Sequence, residues 1–371
     1  MSEFTSADHA WMSRTLRLAE RGLYSTDPNP RVGCVLVRDG ELVGQGWHVR
    51  AGGPHAEIEA LAEAGDRARG ATAYVSLEPC CHHGRTGPCA EALIEAGVSR
   101  VVAALEDPFP EVAGRGLARL REAGIATTLG LLAEQAEELN VGFLSRIRRG
   151  RPFLRVKLAA SLDGRTALPN GISKWITSEE ARSDVQVWRA RASAIMTGIG
   201  TVRADDPQLD VRIKTPRQPA RIVVDPGFSL SSEARLLSRG GPVFVIGSEE
   251  AAVPDWYESR EVEAIPVPRA GDGLDLAAAL KLLAARGMNE IHVEAGAILC
   301  GALLEARLVD ELVLYLAPRL LGPGRGLFEF TPLESMDRRI NLAWHSIDRI
   351  GPDLRIRARP EKPESQSCSP D

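Results

Sequence analysis

Three side chains that must meet at one point constrain this chain more than any other feature: His55, which begins His55-Ala56-Glu57, then Cys80 of Pro79-Cys80, and Cys89. Three N/S ligands leave one corner of a zinc tetrahedron open, whereas a structural zinc site closes it with a fourth Cys or His. Zinc with an open corner lowers the pKa of a bound water towards neutrality. Glu57, not needed as a ligand, can take that proton and pass it to a departing amine. The residue pattern predicts that His55 and Glu57 open a helix over 56–64, that Cys80 follows a strand over 71–77, and that Cys89 opens a helix over 89–96, where the helix N-terminus favours a thiolate. Adjacent helix starts beside a sheet edge supply the convergence a shared metal needs, so the motif calls for an α/β fold.

The order H-x-E followed by P-C and a second Cys reads as a zinc-dependent hydrolytic deaminase, although here the two Cys stand farther apart than in the usual P-C-x-x-C. The segment Leu77-Glu78-Pro79-Cys80-Cys81-His82-His83-Gly84-Arg85-Thr86-Gly87-Pro88-Cys89 resembles the deaminase half of the bifunctional RibD family of riboflavin biosynthesis. So do Pro28-Asn29-Pro30-Arg31-Val32-Gly33-Cys34 and Gly46-Trp47-His48. The resemblance implies one Zn2+ on His55, Cys80 and Cys89, Glu57 as proton shuttle, and Asn29, His48, Glu78 and His82 as contacts to a pyrimidine. Cys81 is expected to pack elsewhere. Phe109 stands where the family usually has Asn, which removes one polar contact near the pocket or replaces it by stacking.

At 371 residues the chain exceeds what one core sustains, and two domains follow. A formal net charge of −5 without a basic run of five or more argues against nucleic acid and suits a small anionic metabolite met by a few placed arginines. Six Cys scattered over so long a chain do not make a disulfide framework, so a reducing compartment is expected. Glu3, Asp8, Arg14 and Arg17 leave no apolar core for a signal peptide, and no stretch approaches 18 apolar residues. The expectation is a cytoplasmic homo-oligomer acting on a small phosphorylated pyrimidine, with no nucleic acid and no membrane as partner.

Helix and strand alternate from residue 8 to about 145. Arg146-Ile147-Arg148-Arg149-Gly150-Arg151-Pro152 then interrupts the pattern, and a second alternation begins at Phe153. This gives a deaminase domain over 1–145, a linker over 146–152, a second domain over 153–358 and a mobile polar tail over 359–371. In the second domain strands are expected at 153–159, 194–197, 221–224, 243–246, 290–293 and 311–316, with helices at 178–191, 275–286 and 298–307.

Lys157-Leu158-Ala159-Ala160-Ser161-Leu162-Asp163-Gly164-Arg165, Ser173-Lys174-Trp175-Ile176-Thr177 and Gly198-Ile199-Gly200-Thr201 through Leu209 resemble the reductase half of the same family, as does His292-Val293-Glu294-Ala295-Gly296. The resemblance implies a cytidine-deaminase-like three-layer α/β/α domain followed by a dihydrofolate-reductase-like α/β domain. It also implies NADPH against Ala160, Trp175, Thr201, Asp205 and Gly296, and substrate on Ser173, Arg189, Leu209, Arg212 and Glu294. From the residues alone, Gly198-Ile199-Gly200 is a weak dinucleotide loop, because Arg203 stands where a third Gly would be. Ala295 replaces a usual second Gly. Only five of the 45 basic residues are Lys, yet one, Lys157, lies in an apolar strand. A partly desolvated ammonium there can assist the sugar carbon that receives hydride. Two other readings fit part of the sequence: a deaminase whose second half only binds the sugar phosphate, and a nucleic-acid-editing deaminase. The acidic balance weighs against the second.

Overall fold

A computed structural model describes residues 4–81 and 87–361. The chain divides into two compact units, Met1–Arg151 with Gly287–Asn289, and Pro152–Arg286 with Glu290–Asp371. His82, expected to touch substrate, lies outside the described residues, as does 362–371 of the expected tail.

Unit 1 begins with α1 (Ser6–Glu20), capped by a reciprocal pair in which Thr5 Oγ1 accepts from the Asp8 amide and the Asp8 carboxylate accepts from the Thr5 amide. A hairpin follows, β1 (Gly33–Arg38) and β2 (Glu41–Trp47), turned at Asp39-Gly40 with φ of 51° and 80°. Then come α2 (Ala56–Ala64), β3 (Thr72–Val75), α3 (Cys89–Glu95), β4 (Arg100–Ala103), α4 (Arg115–Glu122), β5 (Ala126–Leu129), α5 (Ala133–Leu139) and α6 (Val141–Arg149). The sheet order is β2-β1-β3-β4-β5, with β3, β4 and β5 parallel. Strand alternation feeds two cores. Cys34 and Leu36 of β1 pack with α2, α3 and α4, while Val35 and Val37 pack with α1, α5 and α6. Both sheet faces are thus covered, giving three layers.

Residues 146–149, expected in a linker, are instead the last turn of α6. Phe143 and Leu144 are buried in the core and Ile147 packs against it, so the arginine-rich run is the polar side of an amphipathic helix. Its basic end faces the C-terminal dipole, and Gly150 closes it at φ 65°. Two glycines set the depth of α2. A Cβ on Gly44 would overlap the carbonyl oxygen of Ala60, and one on Gly46 would come within 2.5 Å of the Ala56 oxygen and the Glu59 Cβ.

Unit 2 contains β6 (Phe153–Ser161), α7 (Glu179–Arg191), β7 (Ala194–Gly198), α8 (Ile199–Asp205), β8 (Ala220–Val224), β9 (Val243–Ser248), α9 (Trp256–Ser259), β10 (Val262–Val267) and the short pair β11 (Arg269–Ala270) and β12 (Gly273–Leu274). They are followed by α10 (Leu276–Ala285), β13 (Glu290–Val293), α11 (Ala297–Glu305), β14 (Glu311–Ala317), β15 (Leu342–Ile350) and β16 (Asp353–Pro360). Nine strands form one sheet in the order β10-β9-β8-β7-β13-β6-β14-β16-β15. It is parallel as far as β14 and antiparallel beyond. The sequence pattern finds the six inner parallel strands and misses β10, β15 and β16. The expected tail therefore starts too early: Arg359 is in β16 and donates to Glu311 at 3.0 Å.

That bond belongs to a buried network. Glu311 also accepts from Arg155 at 2.7 Å and Arg357 at 2.7 Å, and Glu290 accepts from Arg155 at 2.9 Å and Arg191 at 2.7 Å. Arg155, Glu290 and Glu311 are at most 1% exposed. Charges so deep are costly unless paired, so the network ties β6, β13, β14 and β16 into one register. Burial pushes the Glu311 carboxyl up, but Arg155 and Arg357 outweigh it and hold its pKa well below the usual range. Its contribution to stability is therefore complete above the unfolded value and lost as pH falls through the folded one. Glu311→Gln should cost about 3–5 kcal/mol in urea unfolding of the full chain near neutral pH. The gap to wild type should begin to narrow below about pH 4, where the unfolded chain's carboxyl starts to take up a proton, and should close only when the folded carboxylate does so at still lower pH.

Candidate active sites

His55 is the N-cap of α2, Cys89 the first residue of α3, and Cys80 lies in the loop after β3. Their ligand atoms all fall within 4.8 Å of one another. His55 Nδ1 is 3.2 Å from Cys89 Sγ and 3.6 Å from Cys80 Sγ. A tetrahedral zinc with ordinary Zn–N and Zn–S bonds sets its N and S ligands about 3.6 Å apart, so the cluster fits one such ion. The hydrogen bond from Cys89, with burial opposing, takes the Cys80 thiol down to about 4, while Cys89 is raised. One thiolate is therefore favoured in advance. Cys81 faces elsewhere, with its Sγ donating to the Glu111 carbonyl at 3.4 Å.

Glu57 lies in the first turn of α2, 3% exposed. Burial, reinforced by the nearby Cys80 charge, pushes its carboxyl up to about 7. A group that titrates near neutrality can both accept and return a proton. Glu57 opens onto a cavity of about 270 Å³, whose wall includes Asn29, His48, Cys80, Phe109 and Arg146. His48 Nδ1 lies 2.8 Å from the Pro54 carbonyl, which can only accept, so that nitrogen carries the proton. Nε2 is then the acceptor for Asn29 Nδ2 at 3.1 Å, and this bond orients the Asn29 amide in the cavity wall.

Glu78 is tied to the backbone of a neighbouring segment. Its carboxylate accepts from the backbone amides of Asp107 at 3.2 Å, Gly114 at 2.9 Å and Leu117 at 3.0 Å. It lines the cavity, and its oxygens anchor the 107–117 segment, with three of a carboxylate's roughly four acceptor sites filled. A Cβ on Gly116 would overlap the Pro79 carbonyl, so α4 sits hard against the Cys80 loop and this anchor also braces a cluster residue. The sequence reading missed Val112, Phe143, Arg146 and Ile147 in the wall; the amphipathic spacing of 141–149 was the available signal. Glu78→Gln turns acceptors into partial donors and should cost about 2 kcal/mol, the worth of a charged hydrogen bond or two. Faster proteolytic nicking within 107–114 and a lower unfolding temperature would register it.

In unit 2, Lys157 is on β6 beside β13, where Val156 pairs with Val293. Burial lowers its pKa, Glu294 opposes that and Arg189 adds to it. Arg189 is engaged at each of its three nitrogens. Its Nε and Nη2 donate to Glu294 at 2.5 and 2.9 Å, and Nη1 donates to the Asp210 carbonyl at 2.8 Å. Leu209, next to Asp210, is buried, and Arg212 is largely exposed with Nε 3.4 Å from the Asp210 carboxylate. Gly296 caps α11, and a Cβ there would lie 4.0 Å from Thr201 Oγ1, so these two expected cofactor residues are neighbours. Asp205 pairs with Lys174 at 3.0 Å. Trp175 is 62% exposed, with the Arg182 guanidinium 4.4 Å over its ring and its carbonyl held by Arg319 at 2.7 Å. Ala160 is buried in β6, and Ser173 is half-buried in the loop before Trp175.

A zinc-binding deaminase unit followed by a reductase unit is the class that this architecture defines. Residues 5–105 match the cytidine and deoxycytidylate deaminase zinc-binding region, and residues 152–356 match the RibD C-terminal domain. The chain is 48% identical over 361 residues to the riboflavin biosynthesis protein RibD of Escherichia coli (strain K12), covering 94% of this chain and 98% of that one. A solved RibD structure from Acinetobacter baumannii superposes with a TM-score of 0.90 at 42% identity, covering 96% of this chain and 99% of that one. A Thermotoga maritima diaminohydroxyphosphoribosylaminopyrimidine deaminase/5-amino-6-(5-phosphoribosylamino)uracil reductase gives a TM-score of 0.86 at 33% identity and the same coverages. The chain belongs to the RibD family of bifunctional deaminase/reductases of riboflavin biosynthesis. A nucleic-acid-editing deaminase and a deaminase with a merely sugar-phosphate-binding second half are thereby set aside. No helix among the described residues is long and apolar enough to cross a membrane.

Proposed function

We propose that unit 1 hydrolyses the 2-amino group from 2,5-diamino-6-(5-phosphoribosylamino)pyrimidin-4(3H)-one, and that unit 2 reduces the ribosyl group of the resulting 5-amino-6-(5-phosphoribosylamino)uracil to ribityl with NADPH. The observation that carries this is the buried Glu57 beside the His55, Cys80 and Cys89 cluster in the wall of one cavity. One Zn2+ held by those three residues would supply an acidified water for attack on the ring carbon. Glu57 takes the proton from that water and returns it to the leaving amine, for which a pKa near neutrality suits it. Asn29, held by His48, presents amide hydrogen-bonding groups to the ring edge, and Phe109 adds an aromatic face.

In unit 2, NADPH would supply the hydride for C1′ of the opened sugar from beside Thr201, Gly296, Ala160, Trp175 and Asp205. Lys157 steadies the charge that shifts at that carbon and lends a proton, with Glu294 keeping the ammonium charged. Ser173, Leu209 and Arg212 border the substrate. Arg189 acts by orienting Glu294 and not as an open phosphate fork. The cytoplasm is the expected location. A homo-oligomer is the expected state, supported by Trp344 and Ile347, 66% and 57% exposed along the edge strand β15.

One assay tests both steps: the diaminopyrimidine is supplied and ammonia and NADPH are followed together. Glu57→Gln should retain zinc and lose ammonia release by roughly 10²–10⁴-fold. It should still oxidise NADPH when given the deaminated intermediate, and near wild-type deamination by this variant would overturn the role of Glu57. Metal analysis should find zinc lost in Cys89→Ser and kept in Cys81→Ser; the reverse would refute the ligand set. Lys157→Ala should lower reductase turnover far more than NADPH affinity, since a group at the reacting carbon acts mainly in the transition state.

A further inference from the structure

The deaminase cavity is richer in carboxylates than in cations. Glu57, Glu78 and Asp107 line it, and among its described lining residues Arg146 is the one permanent cation. A phosphorylated pyrimidine brings about −1.5 to −2 of charge on its phosphate into that setting. Glu78 accepts from three backbone amides and Asp107 accepts from the Phe109 amide, but neither carboxylate attracts an anion. The ring end belongs beside Glu57, and among the described wall residues the permanent counter-charge for the phosphate is Arg146.

Arg146 is arranged for that role. Its Nε donates to Asn289 Oδ1 at 2.6 Å, and Asn289 Nδ2 donates in turn to Asp27 Oδ1 at 3.0 Å and the Pro28 carbonyl at 2.9 Å. Asp27 thus reaches the guanidinium through an amide and not by a direct ion pair. Phe143, one turn back on α6, lies with its ring centroid 5.9 Å from Cζ and limits how the side chain can swing. The outer edge remains open: Nη2 has only a 3.4 Å contact to the Pro28 carbonyl, and Nη1 has no hydrogen-bond partner among the described residues. A half-buried cavity-wall guanidinium held by its inner nitrogen, with Nη1 unpartnered and Nη2 held only by the long Pro28 contact, matches the fork geometry that takes phosphate oxygens in pairs. Pro28 and Pro30 flank Asn29 in the same wall, so ring contact and phosphate contact would be set by one short segment.

We propose that Arg146 is the phosphate-binding residue of the deaminase site and the determinant of its preference for the phosphorylated pyrimidine. This rests on the deaminase reading above. The test compares ammonia release from the phosphoribosylaminopyrimidine and from its phosphate-free ribosyl counterpart by the full-length zinc-loaded chain, as wild type, Arg146→Lys and Arg146→Gln. For Arg146→Gln, KM for the phosphorylated substrate should rise roughly 10- to 100-fold, the worth of one charged bidentate contact, with kcat little changed. The phosphate-free substrate should be turned over as by wild type, and Arg146→Lys should recover part of the loss. NADPH oxidation by the same preparations on the deaminated intermediate verifies that the variants are folded. Equal losses on both substrates, or an unchanged KM for the phosphorylated one, would overturn the proposal while leaving the deaminase reading intact. Wild type that releases no ammonia from the phosphorylated pyrimidine would overturn the deaminase reading itself, and this proposal with it.

Discussion

The depth at which α2 lies on the sheet is the constraint on which the first site depends. Gly44 and Gly46 are on β2 because no side chain fits between that strand and the backbone of Ala56 and Ala60. Pressed that close, α2 begins at the rim of the sheet with His55 as its N-cap and buries Glu57 within its first turn. The same burial that makes the carboxyl hard to ionise makes it a usable proton carrier, so packing and chemistry have one cause here. Gly116 repeats the device on the other side, where α4 meets the Pro79 carbonyl and Glu78 fastens the intervening loop.

The second unit spends charge where the first spends glycine. Arg155, Glu290 and Glu311 sit in the middle of a nine-stranded sheet with Arg191, Arg357 and Arg359 around them, and Trp188 receives Arg155, Arg355 and Arg357 against its ring. Such a network contributes less to stability than to choice of partner, because a one-residue slip of β16 would turn Arg357 and Arg359 away from a buried carboxylate. Arginine suits this role: Glu311 is approached by three guanidinium groups, and planar forks share one carboxylate more easily than ammonium groups do.

Much of this was legible in the sequence, and the parts that were not share a physical reason. Strands buried on both faces, such as β6, β7 and β8, read as apolar runs, and helices such as α2 and α7 read from their spacing. β15 and β16 did not, because their arginines and exposed apolar residues alternate as they would in a solvated tail, and only the buried Glu311 reveals what those arginines are for. For α6, four arginines, a Gly and a Pro within seven residues resembled a linker, although Phe143, Leu144 and Ile147 already carried the helical period. The zinc cluster was visible because its spacing is dictated by ligand chemistry. The true engagement of Glu78 was not, since accepting from three distant backbone amides leaves no trace in local sequence.

Arg189 and Glu294 illustrate the limit from the other side. Each is of a type suited to substrate, and both were expected to meet it, yet the structure joins them to each other. A guanidinium with Nε, Nη1 and Nη2 all engaged has little left for phosphate, and a carboxylate held by that fork is fixed beside Lys157 as a counter-charge that opposes the lowering of its pKa. The pair therefore sets the charge of the group that acts on the reacting carbon, which is a different kind of contribution from binding. Residue type tells what chemistry is possible at a position, and only the count of donors and acceptors still unfilled tells which of those possibilities remains for the ligand.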